Sequence, residues 1–456
     1  MSGHQSSRDE GFSMVESARY GAIDLAVTSG FTRVWDDRGS RADRNGAFFS
    51  PNVSWNNWLA GWRILAHVGR PSYVDINHQA TALLARSASH DMLRPPTDFE
   101  LIWRDRGSGA DANGAVWRPI PPAGYVALGD VFTGSWAKPD PAWHACVRKE
   151  AGGRKYVREA QIAELIWDDR GSGADANVSV WQVRNPGYPS DSEERLILEA
   201  DAFVAGNQYT RPSRTVWVLD LPALVVKRNP PQVPVLASHQ EPDPIAQVTD
   251  RSVTVPCTVI TDPNATPAWQ AQYSPFYTLE RRVNYTLKMF RNNQHGTVEQ
   301  PDSQAVRTGV SEEQSDEFSE RTTITVTASA GINIKAFSSS VETSVSRELG
   351  YSSRYGVTQL NETTTTWSMV TPPHSSGALW SATHEIIALR KDGDTVGGQG
   401  GLTFDVDSRV SGEYPSGAGL KVFVDDTETT ADDLKAQPFG EPETSISNDA
   451  PDFITD

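Results

Sequence analysis

Trp35-Asp36-Asp37-Arg38-Gly39-Ser40, Trp103-Arg104-Asp105-Arg106-Gly107-Ser108 and Trp167-Asp168-Asp169-Arg170-Gly171-Ser172 are one phrase written three times. The copies continue into Ala42, Asp43 and Asn45, into Ala110, Asp111 and Asn113, and into Ala174, Asp175 and Asn177. A phrase recurring at near-constant spacing marks internal duplication, so the first half of the chain is a threefold repeat. Short strand-like runs lead into each copy: Phe31-Thr32-Arg33-Val34, Phe99-Glu100-Leu101-Ile102 and Ala163-Glu164-Leu165-Ile166. The phrase has turn chemistry, because Asp and Ser bond nearby backbone amides and Gly39, Gly107 and Gly171 tolerate positive φ. Each unit is therefore expected to open as a hairpin.

Two further apolar segments follow in each unit: Trp62 to Val68 and Thr81 to Ala85, Tyr125 to Phe132 and Trp143 to Val147, Leu196 to Phe203 and Val216 to Leu221. That makes about four strands per unit. Three small antiparallel sheets, none able to bury its inner face alone, are expected to close on a shared core as a three-sided prism. Trp35, Trp103 and Trp167, at matched positions, are assigned to that core.

The pattern Ile102-Trp103, Asp105, Gly107-Ser108-Gly109-Ala110, Trp117-Arg118-Pro119-Ile120, Gly124-Tyr125, Ala127-Leu128-Gly129-Asp130-Val131 resembles the repeat of the vacuolar protein sorting-associated protein 62 family. The resemblance covers roughly residues 28 to 225. The other units depart from it, with Phe48-Phe49-Ser50-Pro51 and Gln182-Val183 in place of Trp-Arg-Pro and Arg-Pro. It implies a β-prism-like module of the kind found in lectins and membrane-binding domains, and no catalytic activity.

Composition bounds the partners. With 456 residues and 38% apolar content the chain can build two or three cores, and it has no run of about 18 apolar residues. The first ten residues, Met-Ser-Gly-His-Gln-Ser-Ser-Arg-Asp-Glu, have neither the basic nor the apolar region of a secretory signal. The expectation is a protein made in the cytoplasm, released as a soluble chain and acting at a target-cell membrane. A net charge of -17 argues against a nucleic-acid surface. Cys146 and Cys257 are expected to be buried free thiols.

Between Val225 and Val248 the chain is proline-rich and biased to extended backbone. Beyond it, long Ser-, Thr- and Val-rich segments predominate. The decisive one runs from Arg321 to Ser353. Its first arm alternates, with Ile324, Val326, Ala328, Ala330, Ile332, Ile334 and Ala336 on one face. Thr325, Thr327, Ser329, Gly331, Asn333 and Lys335 occupy the other. The parity then flips, and Val341, Val345, Leu349 and Tyr351 become the apolar side. A flip is expected when a strand turns back on itself as a hairpin. Pairing Ala336 with Val341 sets Ile332 opposite Val345, Ala328 opposite Leu349, Val326 opposite Tyr351 and Lys335 opposite Glu342. Phe337 lies at the tip, and Arg347 is the one charge on the apolar side. An arm of about fifteen residues reaches roughly 50 Å, more than the about 9 to 11 tilted residues a membrane strand needs.

This region resembles the aerolysin and epsilon-toxin type of β-pore-forming protein. The likeness rests on the alternation of 321 to 353, the run Thr363-Thr364-Thr365-Thr366-Trp367 behind it, and Val370-Thr371-Pro372-Pro373-His374 to Leu379-Trp380. The resemblance implies that several protomers each donate one hairpin to a shared transmembrane barrel. The missing secretory signal departs from the secreted members and fits insecticidal toxins made inside the cell. Lys335, Glu342 and Glu348 would then face the pore lumen.

The fold expected is all-β: an N-terminal threefold β-prism-like domain followed by an elongated aerolysin-like antiparallel domain. The divisions are an N-terminal extension (1–27), a three-repeat binding domain (28–225), a proline-rich linker (226–248), a pore-forming domain (249–430) and an acidic tail (431–456). The tail reads as disordered or loosely docked, or as a peptide removed before assembly.

Candidate binding residues are the paired aspartates Asp37 with Asp43, Asp105 with Asp111 and Asp169 with Asp175. Three readings stay open for them: bound calcium, a glycan or lipid-headgroup site, and a structural Asx-type turn. Trp55, Trp58 and Trp136, in polar surroundings, are candidates for sugar stacking or membrane contact. No catalytic or cofactor motif is present: there is no Gly-x-Ser-x-Gly, no His-Glu-x-x-His and no phosphate-cradling loop, and the nine histidines lack ligand spacing. Gly397-Gly398-Gln399-Gly400-Gly401 reads as a flexible turn. The function expected is receptor or glycan binding, homo-oligomerisation on a target membrane and barrel insertion. The alternative is a non-lytic carbohydrate-binding or adhesive protein.

Overall fold

The computed structural model describes residues 16–53, 61–89, 91–185, 195–322, 324–327, 331–334, 343–344, 349–351, 362–398, 400–425, 427–429 and 453–454. The described chain is nearly all antiparallel β-structure.

Each phrase is the connection of a hairpin. Phe31–Asp36 pairs with Ala47–Pro51, Asp98–Arg104 with Ala115–Ile120, and the far end of Val157–Asp168 with Ser179–Arg184. The pairing skips Val34, Ile102 and Ile166, the residue before each tryptophan. A bulge re-aims the side chains that follow it, and Trp35, Trp103 and Trp167 are each buried. A third strand completes each sheet: Val68–Arg70, Val131–Thr133 and Phe203–Gly206.

A second set of strands lies beneath. Ile23–Thr28, Ala82–Ser87 and Arg63–Ile64 pair in the first unit. Leu93–Arg94, Cys146–Arg148 and Tyr125–Val126 pair in the second. The near end of Val157–Asp168, Val216–Pro222 and Arg195–Leu198 pair in the third. The first two units thus have six strand positions in two sheets, and in the third Val157–Asp168 serves both sets so that five strands join as one sheet, where about four strands in one sheet were expected. The apolar segments Trp62 to Val68, Tyr125 to Phe132 and Leu196 to Phe203 each turn a corner and give one short strand to either set. Ser17–Tyr20, in the expected N-terminal extension, pairs with Ile23–Thr28, and Phe453–Ile454 of the acidic tail pairs with Ser17 and Ala18.

The second half is built on a five-stranded sheet ordered Leu224–Lys227, Val248–Pro256, Phe276–Asn292, Ser376–Leu389 and Leu402–Tyr414. Leu224–Lys227, at the edge of the expected proline-rich linker, is thus already a strand of this sheet. Ser376–Leu389 is buried along almost its whole length, as a strand covered on both faces must be. A four-stranded sheet of Gln300–Thr308, Thr363–Thr371, Lys421–Val424 and Thr427–Thr429 stands beside it. One hydrophobic cluster runs through both halves, with Tyr20 against Phe276 at 6.4 Å between ring centres.

A helix, Glu312–Thr322, takes in Arg321 and Thr322, which the alternation had placed in the hairpin. Its start is a capping box: the Ser311 hydroxyl accepts from the Gln314 amide at 3.2 Å, and the Gln314 side chain accepts from the Ser311 amide at 3.1 Å.

The segment that follows is a separate three-stranded sheet of Ile324–Thr327, Gly331–Ile334 and Thr343–Ser344. Asn333 lies opposite Ser344 and Ile334 opposite Thr343, the register in which Lys335 would face Glu342. The first arm is not one strand, because Ile324 lies opposite Ile334 and Val326 opposite Ile332, with a reversal between Thr327 and Gly331. A period-2 pattern matches apolar to apolar in either register, so alternation alone cannot choose between them.

Candidate functional site

The three tryptophans meet on a common axis. Ring centres are 5.7 Å apart for Trp35 and Trp103, 5.6 Å for Trp103 and Trp167, and 5.3 Å for Trp35 and Trp167, each pair near edge-to-face. Each indole N–H donates to a backbone carbonyl of the next unit: Trp35 to Ala112 at 2.9 Å, Trp103 to Ala176 at 2.8 Å and Trp167 to Arg44 at 3.1 Å. The ring closes in the other direction through amides. Asp111 N–H donates to Arg38, Asp175 to Arg106 and Asp43 to Arg170.

This closure divides the six aspartates. Asp37, Asp105 and Asp169 are buried. Asp37 accepts from the Gly46 amide and Asp169 from the Val178 amide, both at 2.9 Å. Burial raises the Asp169 carboxyl above its ordinary value, against the lowering effect of the Val178 amide and Tyr209. Asp43, Asp111 and Asp175 are exposed and belong to the neighbouring turn. A Cβ on Gly39 would lie 2.3 Å from the Asp111 carboxylate, one on Gly107 2.8 Å from Asp175, and one on Gly171 2.7 Å from Asp43. All three glycines have positive φ. The pairs that sequence spacing put in one turn are therefore shared between two. Among the described residues no group of three or more His, Cys, Asp or Glu is arranged to hold a metal ion.

Aromatic residues close over the buried carboxylates. Trp136 donates its indole N–H to Asp105 at 2.5 Å, and Tyr73 and Tyr209 bond Asp37 and Asp169. Burial first, then Asp37, pushes the Tyr73 phenol up to about 12. Trp136 is 41% exposed, with Arg104 5.6 Å from its ring centre, so one tryptophan offered for ligand contact is pinned at its nitrogen and partly open on its ring. Trp55 and Trp58 lie outside the described residues. Asp105→Ala is expected to lower stability by about 1–3 kcal/mol, because it strands the Trp136 N–H. Asp111→Ala should stay within about 0.5 kcal/mol. Urea midpoints at unchanged slope measure both, and equal losses would count against this division.

In the second half the base of the alternating segment is buried. Ile324, Leu349 and Tyr351, assigned to a lipid-facing side, pack in the main core here. The Tyr351 hydroxyl bonds His384 Nδ1 at 2.9 Å and receives a bond from Arg281. Arg281 is fully buried, on the apolar parity of its strand, and its Nε donates to Asp250 at 2.9 Å. Gly350, at φ 79°, passes so close that a Cβ would lie 2.7 Å from Arg281 Nη1. Burial, with Arg281 adding to it, holds His384 well below its ordinary value. Sequence reading missed this cluster. Its one signal was an arginine among Leu279, Val283 and Tyr285. Ala328, Ala330, Lys335, Ala336, Phe337, Val341, Glu342, Val345 and Glu348 lie outside the described residues.

Cys146 and Cys257 are free and buried. No described helix is long and apolar enough to cross a membrane.

The family described as vacuolar protein sorting-associated protein 62 matches residues 4–213, a span that takes in all three phrases. No curated protein matches the chain. Among solved structures, GNIP1Aa from Chromobacterium piscinae aligns at 25% identity and a TM-score of 0.34, over 41% of this chain and 34% of its own length. Cry35Ab1 aligns at 11% identity and a TM-score of 0.32, over 87% of this chain and 91% of its own.

Proposed function

We propose that this is a β-pore-forming protein. The β-prism-like first half binds a membrane receptor or glycan. The second half oligomerises, and the segment 322–353 opens into a hairpin that joins a transmembrane barrel. The observation that carries the reading is the isolation of that segment. Among the described residues, the strands of the stretch whose sequence alternates between apolar and polar faces are hydrogen-bonded as a sheet of their own, separate from the five- and four-stranded sheets. These described strands share no ladder with those sheets, and the pairing of Asn333–Ile334 with Thr343–Ser344 already has the register of the extended hairpin. A lone hairpin leaves edge amides bare in lipid, whereas a closed barrel satisfies them, so insertion requires several protomers. The family match spans the first half, to which the binding role is given, and assigns it no chemistry.

Dye release tests the reading. Liposomes and target-cell membrane vesicles loaded with a self-quenched dye are expected to leak on addition of the intact or protease-treated chain, with ring-shaped oligomers recovered from the leaky fraction. Binding without leakage under both conditions would replace this reading with that of an adhesive, non-lytic protein.

A further inference from the structure

Duplication explains what the three units share, but it does not explain a cleft found between the second and third. The cleft encloses about 490 Å³ and is lined by Arg118, Arg211 and Arg214, with Glu100, Leu101 and Ile102 on its wall. At its base Asp130 is buried and saturated. It accepts from Arg118 Nε at 3.2 Å and Nη2 at 3.1 Å, from Arg214 at 3.4 Å and from the Ala205 amide at 2.8 Å. Two oxygens offer about four lone-pair sites, so Asp130 has nothing left for a further cation. Glu100 is 3.9 Å from Arg118 and mostly exposed. Arg211 stacks over Trp181 at 5.4 Å and has no carboxylate at ion-pair distance among the described residues.

The cleft therefore gathers three guanidinium groups around one spent carboxylate and one solvated one, in a chain whose net charge is -17. The junction of the third and first units lacks this excess: there Asp201 is matched by the single cation Arg70 and the neutral Gln182. Planar guanidinium forks fit tetrahedral oxyanions two bonds at a time. The volume falls within the range of about 300–1,000 Å³ typical of small-ligand pockets, and the polar lining does not suit an acyl chain.

We propose that the Arg118–Arg211–Arg214 cleft binds a phosphomonoester group, presented by a lipid headgroup or by a soluble phosphate ester. The proposal gives the binding reading of the first half a chemistry. It does not depend on pore formation, so leakage is not its readout.

The test keeps Arg118, which holds Asp130, and changes Arg211→Gln and Arg214→Gln singly and together in the full chain. Flotation uses vesicles of phosphatidylcholine alone, with phosphatidylinositol 4-phosphate, and with phosphatidylserine at matched surface charge. In parallel, thermal shift is measured with inorganic phosphate against chloride at equal ionic strength. The expected result is flotation on the phosphomonoester vesicles alone, about tenfold weaker in the double variant; Arg211→Gln alone, which leaves every partner of Asp130 in place, weakens it in the same direction while keeping the parent's melting temperature without phosphate. A phosphate-induced thermal shift that the double variant loses, without flotation, supports a soluble ester as the source. Equal flotation on both anionic vesicles, or a double variant indistinguishable from the parent in both arms, overturns the cleft. If the cleft is overturned in this way and the double variant still binds target cells as the parent does, the binding role of the first half stands and only this site falls.

Discussion

Ile332→Lys is expected to lower dye release by roughly 30-fold or more, while Asn333→Lys, one residue away, leaves release near the parent level and shifts the ion selectivity of the pore. In a barrel successive residues face lipid and lumen in turn, and a lysine at the lipid midplane costs about 2–4 kcal/mol for each protomer that carries it. The same charge in the lumen is hydrated. Single cysteines from Ile324 to Ala336, placed in a chain lacking Cys146 and Cys257 and carrying an environment-sensitive dye, extend the test along the arm. Even positions should report an apolar environment after assembly and odd positions an aqueous one. The structure makes this demanding, because Ile324–Thr327 pairs with Gly331–Ile334, setting Val326 opposite Ile332, and an alternating arm running straight from Ile324 to Ala336 requires that pairing to open. A flat dye profile, or equal leakage from the two lysine variants, would remove this segment from the pore and leave the adhesive reading.

The repeat was legible because duplication copies a whole turn. Each phrase carries its glycine with positive φ, its buried aspartate and its core tryptophan together, so the hairpins and the common environment of Trp35, Trp103 and Trp167 could be read from one line of sequence. The corners were not legible. An apolar run such as Leu196 to Phe203 looks the same whether it crosses one sheet or passes from one set of strands to another, and the kink at Asp201, with φ 53°, carries no signal distinct from an ordinary polar residue. The partners of the aspartates were hidden for a related reason. Spacing reports neighbours within a turn, whereas Asp111 and Asp175 lie against glycines of the preceding unit.

In the second half, alternation located the segment and left its register degenerate. What restrains it could not be found by pattern at all. Asp250, Arg281 and His384 come from three strands far apart in sequence, and each alone reads as an ordinary polar residue of a sheet. Only their common burial beneath Tyr351 makes them a clamp.

That clamp is expected to weaken on acidification. His384 is held neutral by burial and by Arg281, whereas an imidazole freed into water takes a proton near pH 6.5. Between its depressed folded value and about 6.5 the released state therefore binds a proton that the folded state does not. Stability is complete above that range and falls with pH at about 1.4 kcal/mol per unit. Protonation would also set a second cation beside Arg281, which is paired with Asp250, and near Arg251, which lies close by at Gly350. From pH 7 to 5 the clamp should lose up to about 2 kcal/mol, at most roughly a 25-fold fall in protection of 349–351 against hydrogen exchange after correction for intrinsic rates. His67 and His144, also buried and depressed and 3.3 Å apart between the first two units, act in the same direction on the first half. His384→Gln separates the two effects. It should start with weaker protection at 349–351 and show no further fall there with acid, while the first half still loosens. Protection at 349–351 that is equal at pH 7 and pH 5 in the parent would mean that His384 does not govern release, and that whatever opens the segment acts elsewhere.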